Sequence, residues 1–419
     1  MKHGINTIDD YNVNGKTVLL RVDINEPIDK ENRKLKDITR IEGCIPTIKE
    51  LSDKKAKVVI LAHQGSDIEY QSYYDLSLHA QAIRELTGMP VEFVPDVCGP
   101  YAVERIKAMK PGDIVLLDNV RFMAEEMTLF ETKLNLTPEQ QAQTLVVRRL
   151  APLADLYVCD AFAAAHRSQP TLVGFEQVLP SAMGRLFEKE YTIISDILKS
   201  PARPCVFVLG GAKIQDTFMM MDKVLKEGAA DLVLTGGLVA NVMAVAKDID
   251  IGKASEDFIY KKNLEECIET AREILDAYGD KIVVPEDFAY VEGETRREVN
   301  VEDVPQDKLL VDIGHKTIAK YEQIIREAGT VFMNGPMGVF EKKPSEDGTK
   351  AVCEAAADTK GLSVIGGGDS VSAANLFGVS ERIGYICTGG GALVRFLSGE
   401  ELPVVKALKN ARTKQGCDL

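Results

Sequence analysis

The sequence lacks the features of a membrane, secreted or nucleic-acid-binding protein. No apolar run approaches the roughly 20 residues that cross a bilayer, and residues 1–4 lead into no hydrophobic signal segment. Positive charge is in deficit, because 50 Lys and Arg stand against 64 Asp and Glu, which gives a net charge of −14. A nucleic acid or an anionic membrane would be repelled on average. We therefore expect a cytoplasmic protein with neither partner, and no obligate protein partner is indicated.

The eight cysteines form no CxxC pair, and several lie inside apolar runs, such as Cys159 and Cys387. This usage is typical of buried thiols in a reducing compartment. The length of 419 residues suffices for two or three domains, each with a full core.

Short, β-branched apolar runs recur along the chain, each followed by a helix-like segment. Such runs are typical of parallel strands buried on both faces, and the alternation indicates βαβ units. One intervening helix has a clear start, since Thr137-Pro138-Glu139-Gln140 is a capping box. The runs are 17–22, 57–62, 91–94, 113–117, 155–159, 205–209, 231–234, 281–284, 330–333, 362–365 and 383–387.

Apolar residues at helical spacing in the middle of the chain predict a helix that divides two sets of strands. That helix runs from Met183 to Leu198 and ends before Pro201 and Pro204. One large sheet with this helix packed on it is the alternative, but sheets of more than about ten strands are uncommon. The predicted fold is therefore α/β, with two Rossmann-like domains, each a parallel sheet covered by helices, joined by a central helix and a hinge. The domains are residues 1–182 and 183–402.

The residues after the apolar runs carry the chemistry, since ligands of open parallel sheets bind beyond the carboxyl ends of the strands. In the first half, arginine and histidine recur there: Arg21, His63, Arg121, His166 and Arg167 follow strands, and Arg40 opens a helix. Arginine binds carboxylate or phosphate through two parallel hydrogen bonds, so the set indicates a pocket for a small, highly charged anion. For any single arginine, pairing with a nearby acid is the better interpretation, as for Arg21 with Asp23.

In the second half, glycine clusters follow the strands. Glycine lets the backbone approach a ligand closely, and a glycine turn that enters a helix presents N–H donors to phosphate. One pair of glycines would be explained by a tight turn, but five clusters at equivalent positions favour a phosphate site. Asp369, at such a turn, is either a Mg²⁺ ligand or a helix N-cap. The clusters begin at Gly210, Gly236, Gly335, Gly366 and Gly389.

Established nucleotide motifs do not fit. Gly15-Lys16-Thr17 resembles the end of a Walker A loop but precedes its strand and lacks the upstream glycine. The dinucleotide fingerprint does not occur at the first strand, and the protein-kinase catalytic loop is missing. A cation-rich site on one domain and an amide-lined site on the other indicate phosphoryl transfer between two bound anions, with closure to exclude water. The alternatives are a non-catalytic protein that closes on an anion and a nicotinamide-dependent dehydrogenase.

The ordered set of segments resembles the phosphoglycerate kinase family over nearly the whole chain. An archaeal-type member is indicated, because Ser66 and Thr217 stand where many members carry a cation. The segments are Arg21-Val22-Asp23-Ile24-Asn25, Arg40-Ile41, His63-Gln64-Gly65, Asn119-Val120-Arg121-Phe122, Asp160-Ala161-Phe162-Ala163-Ala164-Ala165-His166-Arg167, Gly210-Gly211-Ala212-Lys213, Asn334-Gly335-Pro336-Met337-Gly338-Val339-Phe340-Glu341, Gly366-Gly367-Gly368-Asp369-Ser370 and Thr388-Gly389-Gly390-Gly391-Ala392.

The resemblance implies a two-domain, hinge-bending enzyme of glycolysis and gluconeogenesis. It would transfer phosphate reversibly between 1,3-bisphosphoglycerate and ADP, giving 3-phosphoglycerate and ATP, with Mg²⁺ bound to the nucleotide. Residues 403–419 would pack back on the first domain.

The resemblance also implies site residues. Arg40 and Lys213 would act on the transferring phosphoryl group, Glu341 would face the ribose, and Asp369 would bind Mg²⁺. The 3-phosphoglycerate site would comprise Asp23, Asn25, Arg40, His63, Arg121, His166 and Arg167. The nucleotide site would comprise Gly210, Gly211, Ala212, Lys213, Gly236, Gly237, Asn334, Gly338, Glu341, Gly366, Gly367, Gly368, Asp369 and Ser370. Transition-state support would come from Gly389, Gly390 and Gly391.

Overall fold

The computed structural model describes residues 1–29, 31–65 and 73–415, so Ser66 lies outside the described residues. The chain folds into two compact units. The first comprises Met1–Ile193 with Glu401–Leu419, and the second comprises Ile194–Glu400. The division therefore falls later than the expected boundary after residue 182. Among the described residues, no helix is long and apolar enough to span a membrane.

The first unit contains a six-stranded parallel sheet in the order β5-β6-β4-β1-β7-β8, and a small hairpin of β2 and β3. Its strands are β1 (Thr17–Arg21), β2 (Ile28–Asp29), β3 (Lys34–Leu35), β4 (Lys57–Leu61), β5 (Val91–Val94), β6 (Ile114–Leu117), β7 (Leu156–Cys159) and β8 (Ser181–Met183). Its helices are α1 (Thr39–Asp53), α2 (Ser77–Thr87), α3 (Pro100–Ala108), α4 (Thr128–Leu134), α5 (Pro138–Gln141), α6 (Leu145–Leu150), α7 (Pro170–Val173) and most of α8 (Arg185–Lys199).

The second unit contains another six-stranded parallel sheet in the order β11-β10-β9-β15-β16-β17, and a three-stranded antiparallel sheet in the order β13-β12-β14. Its strands are β9 (Cys205–Leu209), β10 (Leu232–Thr235), β11 (Ile282–Val283), β12 (Asp287–Glu292), β13 (Thr295–Asn300), β14 (Leu310–Ile313), β15 (Thr330–Asn334), β16 (Leu362–Gly366) and β17 (Tyr385–Ile386). Its helices are α9 (Ile214–Lys226), α10 (Gly237–Ala246), α11 (Lys253–Lys261), α12 (Glu266–Tyr278), α13 (His315–Glu327), α14 (Asp347–Asp358), α15 (Gly368–Leu376) and α16 (Gly390–Leu397).

The last helix, α17 (Pro403–Gln415), belongs to the first unit. It packs against α7 and β8, and the amide of Val404 donates to the carbonyl of Ala165 at 3.3 Å. The family resemblance assigns residues 403–419 to the first domain, and helix α17 is part of the first compact unit.

The predicted fold class is confirmed. The central strands β1 and β9 are buried along their whole length, as expected for strands covered by helices on both faces. The single-sheet alternative is wrong, because the two large sheets share no strand. The capping box is present at α5, where the Thr137 hydroxyl accepts from the Gln140 amide and Gln140 accepts from the Thr137 amide.

Candidate active site

Four adjacent parallel strands place the predicted cations of the first unit at one edge of its sheet. Arg21, the last residue of β1, lies in register with Leu61 of β4 and Cys159 of β7, and β6 lies beside β4. Because parallel strands end at the same edge, the segments that follow them meet there. The edge is thereby lined by residues from four loops that are distant in sequence.

His63 lies at the centre of this group and is only 6% exposed. Its Nδ1 atom is 3.2 Å from Nη2 of Arg21. Burial holds the pKa of His63 well below its usual value, and four arginines lower it further: Arg21, Arg121, Arg167 and Arg40. Four arginines that all act on one neutral imidazole indicate a local concentration of positive charge within a protein of net negative charge.

Arg21 is completely buried. Its guanidinium is hydrogen-bonded to uncharged groups, and a carboxylate lies one hydrogen bond further away. Its Nε donates to Thr171 Oγ1 at 2.9 Å, and that hydroxyl donates to Glu126 Oε2 at 2.9 Å. Burial raises the pKa of Glu126 to about 7, although nearby Arg21 and the Thr171 hydrogen bonds oppose the rise. The sequence-based pairing of Arg21 with Asp23 is not what the structure shows. Arg21 belonged to the cation set that predicted an anion pocket but not to the 3-phosphoglycerate site that the resemblance implies, and Glu126 belonged to neither.

Arg40 forms the pair with Asp23 instead. Its Nη1 lies 2.8 Å from Asp23 Oδ2, and its side chain remains 38% exposed. The other oxygen of Asp23 accepts from the amide of Asn25 at 3.1 Å. Arg40 is therefore oriented by a carboxylate while its guanidinium still reaches solvent, which leaves donors available to an incoming anion.

Amide and guanidinium hydrogen bonds hold the remaining loops. Asn25 Oδ1 accepts from the amide of Gly65 at 2.9 Å, and Asn119 Oδ1 accepts from the amides of Gln64 and Arg121, both at 3.1 Å. The Arg121 guanidinium donates to the carbonyl of Gly65. These contacts fix the loop that carries His63.

His166 and Arg167 follow β7 and are both partly buried. Arg167 Nη1 donates to Thr128 Oγ1 at 2.9 Å and lies 3.7 Å from Glu131 Oε2. Arg167 lies close enough to His63 to lower the pKa of the imidazole. Residues of α4 hold the Arg167 guanidinium in place.

In the second unit, the glycine turns pack against one another. Gly335 has a positive φ of 89°, and a Cβ atom there would lie 2.1 Å from the carbonyl oxygen of Gly210. The Gly210 amide donates to Asn334 O, and the Gly211 amide donates to Pro336 O. Glycine is therefore required at several of these positions for turn-to-turn packing alone.

This packing corrects one expectation about phosphate binding. The amides of Gly210, Gly211, Gly236 and Gly237 donate to carbonyl groups within the turns, so they are not available to phosphate. In contrast, Gly368 begins α15, is exposed, and has nothing within 4 Å of the position of a Cβ atom. The first amides of a helix lack intrahelical acceptors, so this end of α15 keeps donors available.

An apolar pocket of about 280 Å³ lies beside the glycine turns. Its polar margin contains Asp369, Glu341 and Asn241. An apolar pocket with a few polar groups at its margin is typical of small-molecule sites. The sequence interpretation missed its apolar wall, which includes Phe258, Phe288, Leu309, Leu310, Val311 and Val339.

Asp369 fits a Mg²⁺ ion that arrives with a nucleotide. Its carboxylate is exposed in the first turn of α15, at the margin of the pocket. Mg²⁺ is usually held by one or two carboxylates together with substrate phosphates. Within the described ranges, no group of three or more His, Cys, Asp or Glu side chains is arranged to hold a metal. A single exposed carboxylate fits a Mg²⁺ ion whose remaining ligands come from a bound substrate.

Other predicted residues lie at the starts of α9, α15 and α16 and at the ends of β15 and β16. Lys213 is exposed and immediately precedes α9. Thr217 is buried on that helix, and its hydroxyl donates to the Lys213 carbonyl at 2.9 Å. Gly366 ends β16, Gly367 precedes α15, and Gly389, Gly390 and Gly391 form the start of α16. Asn334 ends β15, and Ser370 accepts from the Gly335 amide at 2.7 Å.

Comparison with known proteins identifies the family. The family model for phosphoglycerate kinase matches residues 8–400. The chain is 45% identical to the phosphoglycerate kinase of Methanothermus fervidus over 408 residues, covering 97% of this chain and 98% of that protein. It is 45% identical to that of Methanococcus maripaludis over 412 residues, covering 97% and 99%. The crystal structure of phosphoglycerate kinase from Pyrococcus horikoshii matches with a TM-score of 0.86 at 40% identity, covering 98% and 100%.

Together with the two helix-covered sheets and their pockets, these matches define an α/β phosphotransferase. The chain belongs to the phosphoglycerate kinase family, and the similarity to archaeal members confirms the expected branch. It is an enzyme whose phosphoryl acceptor is a carboxyl group. The binding-protein and dehydrogenase alternatives are thereby excluded.

Proposed function

We propose that the arginine-lined pocket of the first unit binds 3-phosphoglycerate and 1,3-bisphosphoglycerate during reversible phosphoryl transfer with ADP and ATP. The observation that carries this proposal is that four arginines lie close enough to His63 to lower the pKa of its imidazole. A trianion is recognised best where guanidinium groups converge, because each can form two parallel charge-assisted hydrogen bonds. His63, Arg121, His166 and Arg167 bind the substrate in this scheme, with Asp23 and Asn25 orienting the donors.

The apolar pocket of the second unit binds the nucleotide in this proposal. The ring lies against the apolar wall, Glu341 faces the ribose, and the phosphates extend towards the start of α15. Asn334 and the glycine turns of β9, β10 and β16 form the floor, and Gly389, Gly390 and Gly391 approach the transferring group. Support comes from the exposed donors of α15 and from Asp369 at the pocket margin.

Arg40 and Lys213 serve the transfer itself. A loose phosphoryl transition state spreads negative charge over three oxygens, so positioning and charge neutralisation supply most of the catalysis. Asp369 would hold Mg²⁺ together with the nucleotide phosphates, and the ion would supply charge neutralisation there. Arg40 keeps exposed donors while Asp23 orients it, which suits a group that must engage a moving oxyanion.

In-line transfer requires the donor and acceptor oxygens to meet with water excluded, so the proposal includes closure of the enzyme around both substrates. These substrates are small soluble anions, and we place the reaction in the cytoplasm.

A coupled assay tests the proposal. ATP consumption is expected only when 3-phosphoglycerate and Mg²⁺ are both present, and omission of either should reduce the rate to background. ATP hydrolysis that ignores 3-phosphoglycerate would overturn the assignment.

A further inference from the structure

Glu26 connects the start of α1 to the loop that carries His63. We propose that Glu26 is a positioning residue for Arg40, a role that rests on the function proposed above for Arg40. Its carboxylate fixes the first turn of α1, and the Arg40 side chain extends from that turn.

The contacts of the Glu26 carboxylate lead directly to Arg40. Its Oε1 atom accepts from the backbone amide of Arg40 at 2.6 Å and from that of Ile41 at 3.2 Å. The N-cap residue of α1, Ile38, supplies no side-chain hydrogen bond. Glu26 therefore replaces the local cap, and it holds the amide of the same residue whose guanidinium contacts Asp23.

Glu26 is itself fixed by Gln64. The Glu26 amide donates to Gln64 Oε1 at 3.1 Å, and Gln64 Nε2 donates to the Glu26 carbonyl at 2.9 Å. His79 Nε2 lies 2.9 Å from the same Oε1, which can only accept, so the imidazole donates. All three side chains are buried. The arrangement is a buried brace, because Gln64 joins the Glu26 backbone to the His79 imidazole by hydrogen bonds.

The brace links two elements of the proposed substrate pocket. Gln64 lies between His63 and Gly65 in sequence, so the loop and the start of α1 are held in a fixed relation. A displacement of a catalytic group by about 1 Å can cost about 100-fold in rate. Loss of the Glu26 acceptor should therefore appear in turnover, with little change in substrate affinity.

Steady-state kinetics of two Glu26 variants test this role. Glu26→Met has a similar size but no acceptor, and we expect a fall in kcat of about 10- to 100-fold with a KM for 3-phosphoglycerate within about threefold. Glu26→Gln keeps an oxygen able to accept from both amides, so it should retain at least about a third of kcat. Should Glu26→Met fail to fold, Glu26→Asp replaces it, since its shorter side chain withdraws the acceptor.

Asp37→Ala is the matched control, because alanine removes the capping oxygen whereas asparagine would keep it. Asp37 Oδ1 accepts from the amide of Thr39 at 2.9 Å, so it caps the same helix end without contacting the Arg40 amide. This variant should keep kcat within about twofold. An equal loss in Asp37→Ala and Glu26→Met would reduce Glu26 to a general helix cap and overturn the proposal.

A double-mutant cycle separates positioning from a structural effect. In the Arg40→Ala background, Glu26→Met should cause no further loss of kcat, because the group that it positions is absent. A loss equal to that in the unmodified enzyme would contradict the proposal. If the unmodified enzyme lacks the kinase activity, or if Arg40→Ala keeps full turnover, the proposed function or the role of Arg40 fails, and the role of Glu26 fails with it. If Arg40→Ala is impaired and Glu26→Met is not, the role of Glu26 alone is wrong.

Discussion

Nδ1 of His63 accepts a hydrogen bond from Nη2 of Arg21 across 3.2 Å. A guanidinium has no acceptor, so the imidazole must present a lone pair at Nδ1 and carry its proton on Nε2. Burial and the surrounding arginines keep that imidazole neutral at neutral pH. His63 is thus a neutral donor in a pocket whose charge comes from arginine.

His63→Ala should weaken 3-phosphoglycerate binding about tenfold, because one hydrogen bond to a charged oxygen is lost. Since the pKa of His63 lies well below 6.5, the affinity ratio between the enzyme and this variant should stay constant from pH 6 to pH 8. Calorimetric titrations at several pH values measure the ratio. His315→Ala, at an exposed histidine of the second unit, is the control. A ratio that falls as the pH rises through 6.5 would show that the charged imidazole binds the substrate.

Arg40→Ala should lower kcat by about 10³-fold or more, as expected for a cation that stabilises transition-state charge. The coupled assay at saturating substrates measures this loss. Arg105→Ala provides the comparison, because Arg105 pairs with Glu92 on the surface of the same unit. A near-normal rate for Arg40→Ala would remove it from the catalytic step.

Leu309→Asp should weaken ATP binding at least about tenfold, because a carboxylate on the apolar wall must be desolvated when the ring enters. Binding of 3-phosphoglycerate, in the other unit, should stay unchanged. Leu362→Asp is matched, since Leu309 is 38% and Leu362 is 40% exposed but only Leu309 lines the pocket. Equal effects of the two substitutions on ATP affinity would place the nucleotide elsewhere.

Glu176 should make stability depend on pH. Both carboxylate oxygens are buried and, within the described part of the chain, lack a hydrogen-bond partner. Burial raises the pKa of Glu176 well above 4.5. Above pH 4.5 the folded state therefore keeps a proton that the unfolded state has lost, and the free energy of unfolding falls as the pH rises.

Urea unfolding at pH 5, 6, 7 and 8 tests this linkage with Glu176→Gln. The free energy of unfolding of the variant, minus that of the enzyme, should rise by about 1.4 kcal/mol per pH unit. The rise should continue until the pH reaches the pKa of Glu176 in the folded state. The exposed Glu104→Gln should show no such trend. A difference between Glu176→Gln and the enzyme that does not change with pH would contradict the prediction.

The parallel sheets could be predicted because their strands are buried on both faces. Runs such as Thr17–Arg21 and Cys205–Leu209 are uniformly apolar, and this pattern is visible without tertiary context. The antiparallel sheet was missed for the opposite reason. Strand Thr295–Asn300 has no buried residue and is mostly polar, so it lacks any periodic apolar signal. The apolar pocket wall was missed with it, since Phe288 and Leu310 belong to that sheet.

The cationic character of the first pocket was visible in sequence, but its internal connections were not. Asp23 is two residues from Arg21 and was the natural partner by proximity, whereas the structure pairs it with Arg40, 17 residues away. Glu126 accepts a hydrogen bond from Thr171, and Glu26 accepts one from the start of α1, both far away in sequence. Such contacts depend on loop conformation, which residue spacing alone does not determine.

The most direct test of the central claim is a histidine-labelled NMR titration with 3-phosphoglycerate. The ring signals of His63, assigned through His63→Gln, should shift on addition of 3-phosphoglycerate and should retain the pattern of a neutral ring protonated at Nε2. If those signals move only with ATP, or stay unchanged at saturating 3-phosphoglycerate, the arginine-lined pocket is not the substrate site.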